Sequence, residues 1–259
     1  MRTHLVLTIL ALILACQSVL ADTNQKNRVI VLTDIEADPD DTQSLVRLLL
    51  YSNVIDIKGL VATTSCWQQA RIAPESIIDV IQAYDQVHSN LIKHEAGFPD
   101  AEALLKIVKK GLAKYGMQGV EDGQDSEGSN WIIKVLEEDD ERPLWISVWG
   151  GVNTLAQALH KIRSTKTEAE AKKLISKLRV YTISDQDDSG NWIRNNFPDL
   201  FYIVTPGDDY GSATWTGINT FVNGINNEKN KQYLAGTKHS AGARASRRCI
   251  SRCRLGRGR

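Results

Sequence analysis

The chain predicts an α/β fold, a mostly parallel, doubly wound sheet covered on both faces. Three observations carry this expectation. Short apolar, β-branched runs recur at residues 29–32, 55–62, 144–148, 178–183 and 200–204. Segments with helical spacing of apolar residues lie between them. Each run is followed by a polar loop, and three of those loops carry an indole. Strands alternating with helices build a parallel sheet with both faces buried. In such sheets ligands collect at the carboxyl ends of the strands, so five polar loops in those positions argue for one shared site.

The elements follow in order. Arg28-Val29-Ile30-Val31-Leu32 reads as the first strand, and the loop Thr33-Asp34-Ile35-Glu36-Ala37-Asp38-Pro39-Asp40-Asp41 follows it. The next run, 44–51, is amphipathic, with Leu45, Val46, Leu48 and Leu49 on one helical face. The second strand, 55–62, opens into Thr63-Thr64-Ser65-Cys66-Trp67. Pro74 starts a helix whose apolar side carries Ile77, Ile78, Ile81 and Tyr84. Residues 111–129 are glycine-rich and acidic, the composition of a lid or of a plain surface excursion. The strand at 144–148 leads to Trp149-Gly150-Gly151-Val152-Asn153-Thr154, then to a helix marked by Leu155, Leu159 and Ile162. The strand at 178–183 leads to Ser184-Asp185-Gln186-Asp187-Asp188-Ser189-Gly190-Asn191-Trp192. The last run, 200–204, precedes Thr205-Pro206-Gly207-Asp208-Asp209-Tyr210. No internal repeat is present.

Composition bounds the class. The 259 residues are 42% hydrophobic and 24% charged, an ordinary globular balance. Residues 1–21 have a short basic start, an apolar stretch from Leu5 to Ala15, and small residues before Asp22. They read as a secretory signal peptide, so the expected location is secreted or periplasmic. Ile13-Leu14-Ala15-Cys16 is a weak lipoprotein box, with Leu14 a poor fit. Cys66, Cys249 and Cys253 remain beyond the leader, and without a Cys-x-x-Cys pair a zinc site is not expected. The domain is placed at 22–235. Residues 236–259 form a basic tail that fits an out-of-frame or truncated end better than an arm for anionic surfaces. Eight Lys or Arg and no acid lie from Lys238 to Arg259. Setting these and Arg2 aside leaves 22 basic against 31 acidic residues, a net charge of −9 that excludes a nucleic-acid binder.

The acidic loop is the densest chemical signal. Five carboxylates fall within eight residues, Asp34 to Asp41, between a strand and a helix. Like charges packed this closely repel, and a cation offsets the cost. Oxygen-only ligands favour calcium or magnesium over zinc. An ordinary helix cap needs one carboxylate rather than five.

Strand, then Asp34-x-Glu36-x-x-x-Asp40-Asp41, then helix, resembles the calcium-binding loop of the nucleoside hydrolase family, which carries Asp-x-Asp-x-x-x-Asp-Asp there. The stretch from Gly150 to Ala156 resembles that family's Gly-Pro-Leu-Thr-Asn loop. Residues 33–50, with Asp185-Gln186-Asp187-Asp188 and Trp192-Ile193-Arg194, look most like a nucleoside-hydrolase-like bacterial branch of unknown function, often labelled cellulose-binding. The resemblance implies a nucleoside hydrolase-like fold and a Ca2+ cofactor. It implies Asp34, Glu36 and Asp41 as metal ligands, with a main-chain carbonyl from Asn153 or Val152. It implies Glu36 or Asp40 as the catalytic base, and Asp40 as a contact for sugar hydroxyls. Ser65 and Cys66 occupy the stretch where the family carries an asparagine, and Asp187 and Asn191 lie where it places another sugar-binding asparagine. Apart from the resemblance, Trp67, Trp192 or Trp215 could stack on a base or sugar face.

Two departures stand out. Glu36 replaces an aspartate and adds one methylene. The family's late histidine–aspartate pair has no counterpart after Asp209, His239 lying in the doubtful tail. The implied chemistry is hydrolysis of an N- or O-glycosidic bond by a metal-activated water. The alternatives are a non-catalytic secreted carbohydrate-binding protein and an inactive truncated paralogue. The expected ligand is a nucleoside or carbohydrate, with homo-oligomerisation open. No membrane partner is expected apart from the lipid anchor that Cys16 would supply. No Gly-x-Ser-x-Gly elbow and no Gly-x-x-x-x-Gly-Lys loop occur, which argues against serine hydrolysis and nucleoside triphosphate chemistry. Asp34-x-Glu36 also lacks the second aspartate and the Thr or Val of aspartyl-phosphate phosphatases.

Overall fold

The computed structural model describes residues 25–205. The predicted leader, most of the loop after the last strand, Trp215 and the basic tail lie outside this span. Six strands form one all-parallel sheet: β1 Asn27–Thr33, β2 Ile55–Ala62, β3 Val108–Lys110, β4 Leu144–Val148, β5 Leu178–Thr182 and β6 Phe201–Val204. Their order is β3-β2-β1-β4-β5-β6. The five expected strands are present, and the three-residue β3 joins them at one edge.

Seven helices connect the strands among the described residues: α1 Pro39–Leu49, α2 Pro74–His94, α3 Ala101–Lys106, α4 Glu127–Leu136, α5 Asn153–Thr165, α6 Glu168–Ser176 and α7 Ser189–Asn196. Alternation along the strands divides their side chains between two cores. Ile30, Leu32, Ile146, Val148 and Val180 point to the face covered by α4, α5 and α7, where Ile132, Leu155 and Ile193 meet them. Val31, Leu60 and Ala62 point to the other face, where Leu45, Ile77 and Leu104 from α1, α2 and α3 pack. The fold is doubly wound as expected.

One boundary differs. α1 begins at Pro39, five residues before the predicted amphipathic run, so Asp40 and Asp41 lie in its first turn. Proline is well placed at a helix start, and acids there complement the helix dipole. Val46, expected on the buried side, is 47% exposed, while Leu45 and Leu49 are buried.

Parallel strands require crossover connections. From β1 the chain steps to β2 and β3 in one direction. It then returns to β4, beside β1, and steps the other way to β5 and β6. The direction reverses between β1 and β4, so their carboxyl ends flank the crevice where ligands bind in such sheets. The opposite rim is braced by Arg28, which is fully buried. It donates to the carbonyls of Val135, Asp140 and Arg142 at 2.7, 3.3 and 3.4 Å and to the Glu138 carboxylate at 3.2 Å. Arg142 joins Asp140 and Asp56 at 2.6 and 2.9 Å. The hydrogen bonds from Arg142 hold the Asp140 carboxyl well below the usual carboxylate range.

Candidate functional site at the strand switch point

The acidic loop leaves β1 at the switch point. Ala37 N–H donates to the Asp34 carbonyl at 2.9 Å, closing a tight turn. Thr33 is the hub beneath it. Its hydroxyl accepts from Ile35 N–H at 3.1 Å and donates to the Asp41 carboxylate in a short bond. This brings the end of β1 and the first turn of α1 together, and with them Asp34 and Asp41, which are 5% and 8% exposed. Burial pushes the Asp34 carboxyl up to about 6, against the opposing effect of its hydrogen bond with Ser65. Burial, then the neighbouring charge of Asp34, pushes Asp41 up as well. Asp40, one residue earlier on α1, is raised by burial and accepts from Asp41 N–H at 3.0 Å.

Glu36 takes a different course. It has φ +78°, the left-handed region that a non-glycine residue seldom occupies. Its exposed carboxylate accepts from Arg71 at 2.6 Å and, in a short bond, from the Ser76 hydroxyl at the start of α2. The Ser76 bond and then Arg71 pull its carboxyl below the usual value.

The loop after β2 supports the cluster from one side. Thr63, Thr64 and Ser65 are fully buried. Ser65 Oγ accepts from Trp67 N–H and Gln68 N–H at 3.0 and 3.2 Å and also bonds the Asp34 carboxyl. Gln68 donates to the carbonyls of Asp34 and Ile35 at 3.5 and 3.3 Å, pinning the acidic loop from below. Trp67 is half-buried beside Ser65.

The loop after β4 lies directly against Asp34. A Cβ on Gly150 would stand 2.7 Å from Asp34 Oδ1, and one on Gly151 would stand 2.4 Å from Asp187 Oδ2 and 2.5 Å from the Thr64 carbonyl. Only glycine permits this approach. Asn153 opens α5, and its side chain is fully engaged. The amide donates to the Lys114 carbonyl at 2.8 Å and to Thr64 Oγ1 at 3.2 Å, and its oxygen accepts from Thr63 at 2.8 Å. What the loop can offer a cation is therefore main-chain oxygen.

Asp187 is buried beneath that loop. It accepts from Asn153 N–H at 3.1 Å, from Ser189 N–H at 2.9 Å and from the Ser189 hydroxyl. Burial pushes its carboxyl up to about 6. Its contacts are those of a brace between two strand-end loops rather than of a sugar-facing acid. Asn191 is exposed on α7. Trp192 packs edge-on against Phe197 at 5.7 Å with Arg163 over its ring at 5.4 Å, an assignment to the flank of the domain. The glycine-rich stretch at 111–129 is fastened to the site. Asp188 accepts from Met117 N–H at 2.8 Å, Thr64 donates to the Lys114 carbonyl at 3.0 Å, and Gln157 donates to the Glu121 carbonyl at 3.0 Å. It is a wall with fixed ties.

Of the residues singled out in the sequence, the structure gathers Asp34, Asp40, Asp41 and Ser65 with the 150–153 loop, and sets Asp187 underneath. Glu36 is drawn to Arg71, and Trp192 to the α7 core. Gln68, Arg71 and Ser76 were not legible beforehand, because each acts on the loop from more than 30 residues away. A calcium ion fits the donor chemistry, which is oxygen throughout with two crowded carboxylates. Among the described residues, however, no three acidic, histidine or cysteine side chains converge on one point. A cavity of about 400 Å³ at the opposite rim, lined by Lys58, Leu104, Trp131 and Glu138 among others, is less suited to chemistry. Two of its charges are already paired, Lys58 with Glu138 at 2.9 Å.

Comparison with known proteins bears on the family and the fold. Residues 28–241 match the family model described as "Cellulose-binding Sde182, nucleoside hydrolase-like domain". A solved structure of a nucleoside hydrolase-related hypothetical protein from Saccharophagus degradans, described as associated with carbohydrate metabolism, is 46% identical with a TM-score of 0.68. That match covers 70% of this chain and 44% of the other, so the chain spans less than half of that relative. No curated protein matches.

Proposed function

From a chain that belongs to the nucleoside hydrolase-like domain family of cellulose-binding Sde182, we propose calcium-dependent hydrolysis of an N- or O-glycosidic bond in a nucleoside or related glycoside. The observation that carries the reading is the pair Asp34 and Asp41, two buried carboxyl groups that act on each other at the switch point of a parallel sheet. Burying a carboxylate costs several kcal/mol unless it is paired. Glu36, in the same loop, holds a cationic side chain, Arg71.

Asp34, Asp41 and a main-chain carbonyl of Val152 or Asn153 would hold the ion. Bound calcium supplies positive charge that offsets these carboxylates and makes a neighbouring water more acidic. The chain does the rest. Asp40, partly buried in the first turn of α1, accepts from the sugar hydroxyls and takes the proton of the attacking water. The water oxygen bonds to the anomeric carbon as the bond to the leaving group breaks, and the leaving group departs with its electron pair. Gly150 and Gly151 let the main chain of the loop after β4 approach Asp34 and Asp187 directly. Secretion or export through the predicted leader belongs to the same reading.

One observation favours a second reading, calcium-dependent carbohydrate binding without turnover. Glu36 is one of the two candidate bases, with Asp40, yet its carboxylate is held by Arg71 and Ser76. A carboxylate stabilised this way is a weak base.

Two measurements test the proposal. Thermal melts with calcium and with chelator should show calcium raising the midpoint. Nucleosides and cello-oligosaccharides are then assayed for released sugar and, in parallel, by calorimetric titration. Sugar release with calcium supports hydrolysis. Saturable titration without release selects the binding reading, and no calcium effect on the melt refutes both.

A further inference from the structure

One segment of the chain grips the acidic loop at three successive residues. Ser65 bonds the Asp34 carboxyl. Gln68 donates to the carbonyls of Asp34 and Ile35. Arg71 and Ser76 take the Glu36 carboxylate, and this last hold is the most complete. Arg71 Nη1 reaches Oε2 at 2.6 Å and the Ser76 hydroxyl donates to Oε1, so both oxygens are engaged from the start of α2. Glu36 is also the third residue of the tight turn that Ala37 N–H closes on the Asp34 carbonyl. A turn with positive φ at that position ordinarily takes glycine or asparagine, and Glu36 has φ +78°. Backbone of this kind persists only where its surroundings over-determine it.

We propose that Glu36 is a positioning residue. Tied to Arg71 and Ser76, it holds the Asp34–Ala37 turn in its left-handed form and so seats Asp34 against Asp41, without itself touching the ion or the reacting water. The inference rests on the calcium reading above and gives Glu36 a different part from the one the resemblance implies. Only Ile35 to Asp38 separate Asp34 from the first residue of α1, so the course of this turn decides how Asp34 meets Asp41. Thr33 fixes one side of the pair through the Asp41 carboxylate, and the Glu36 tether fixes the other. The extra methylene of glutamate extends the carboxylate toward α2, and aspartate would stop one bond short. A carboxylate that accepts from a guanidinium and a hydroxyl is a weak base, and ligating a cation would require it to give up both bonds. Asp40 is left as the proton acceptor of the proposed hydrolysis.

The test is amide hydrogen exchange by NMR in chelator, joined to calorimetric titration with calcium, both on the full chain. Arg71→Ala and Glu36→Asp should each make the Ala37 amide exchange about 5-fold faster, the upper range for losing an exposed pair. Each should also weaken calcium binding by about 5-fold or more. Arg71→Lys, which can still donate to Glu36, should restore most of both. Unchanged exchange at Ala37 in Arg71→Ala overturns the tether. Calcium binding that tightens in Arg71→Ala, or that Glu36→Asp leaves intact, overturns the positioning role and returns Glu36 to the ligands or the bases. Faster exchange with unchanged calcium affinity also overturns the proposal, by reducing the tether to a surface contact. A wild type that binds no calcium overturns the calcium reading instead, and exchange in chelator then decides the tether by itself.

Discussion

Replacing Asp34 by asparagine should make the calcium-free protein more stable while removing its response to calcium. The carboxyl of Asp34 lies at about 6 in the folded protein against 3.8 ordinarily, with burial the main cause. A raised carboxyl means that the folded state binds the proton more tightly than the unfolded state. Stability therefore falls as pH rises from 3.8 to about 6 and stays reduced above. The difference of about 2 units is worth about 3 kcal/mol at neutral pH. Asparagine keeps the shape and can still accept from Ser65, so the variant should recover about 2–3 kcal/mol, or about 4–12 °C for a domain of this size. In the wild type, calcium at 100 times its Kd adds about 2.7 kcal/mol. Differential scanning calorimetry in chelator and in calcium at pH 7.5 and pH 4.5 measures both effects. The gain in chelator should shrink at the lower pH. A variant that melts below the wild type in chelator would refute the claim that burial of the Asp34 carboxylate costs stability, and an equal calcium shift in both proteins would remove Asp34 from the metal site.

Three further outcomes are expected. Arg71→Ala should alter stability by less than about 1 kcal/mol, since the pair is exposed, yet raise the Glu36 titration seen by carboxyl-carbon NMR; an unchanged titration refutes the hold on Glu36. Gly151→Ala should cost about 1–3 kcal/mol in urea unfolding, because its Cβ would press on the Asp187 carboxylate and the Thr64 carbonyl. Asp140→Ala should cost about 2 kcal/mol at pH 7 by removing charged hydrogen bonds to Arg142. Asp140 is depressed in the folded state, so this difference should be complete above about pH 4 and decline below it.

The legible parts of the fold were those written in local pattern. Five strands are runs of four to eight residues dominated by apolar ones. The sixth, β3, is Val-Lys-Lys, an edge strand whose lysines guard against pairing with another chain and erase the apolar signal. Pro39 marked the start of α1, but the charge of Asp40 and Asp41 disguised that turn as loop. In the site, the crowding of five acids signalled the cluster. Their division did not show, because it depends on Thr33 reaching Asp41 and on Arg71 and Ser76 drawing Glu36 aside. Asn153 was legible as a residue of the site, though not that Thr63, Thr64 and Lys114 would use up its amide.

The sheet is two three-stranded ribbons sewn along one seam, the β1–β4 ladder from Arg28–Leu144 to Leu32–Val148. Past its last rung, Trp149 and Gly150 N–H still reach the Leu32 carbonyl at 2.8 and 3.4 Å. A ligand that bridges Asp34 on one ribbon and the 150–153 loop on the other fastens the open end of that seam. Under mechanical load applied across the two ribbons, the seam should tear first, and occupancy of the site should raise the tearing force.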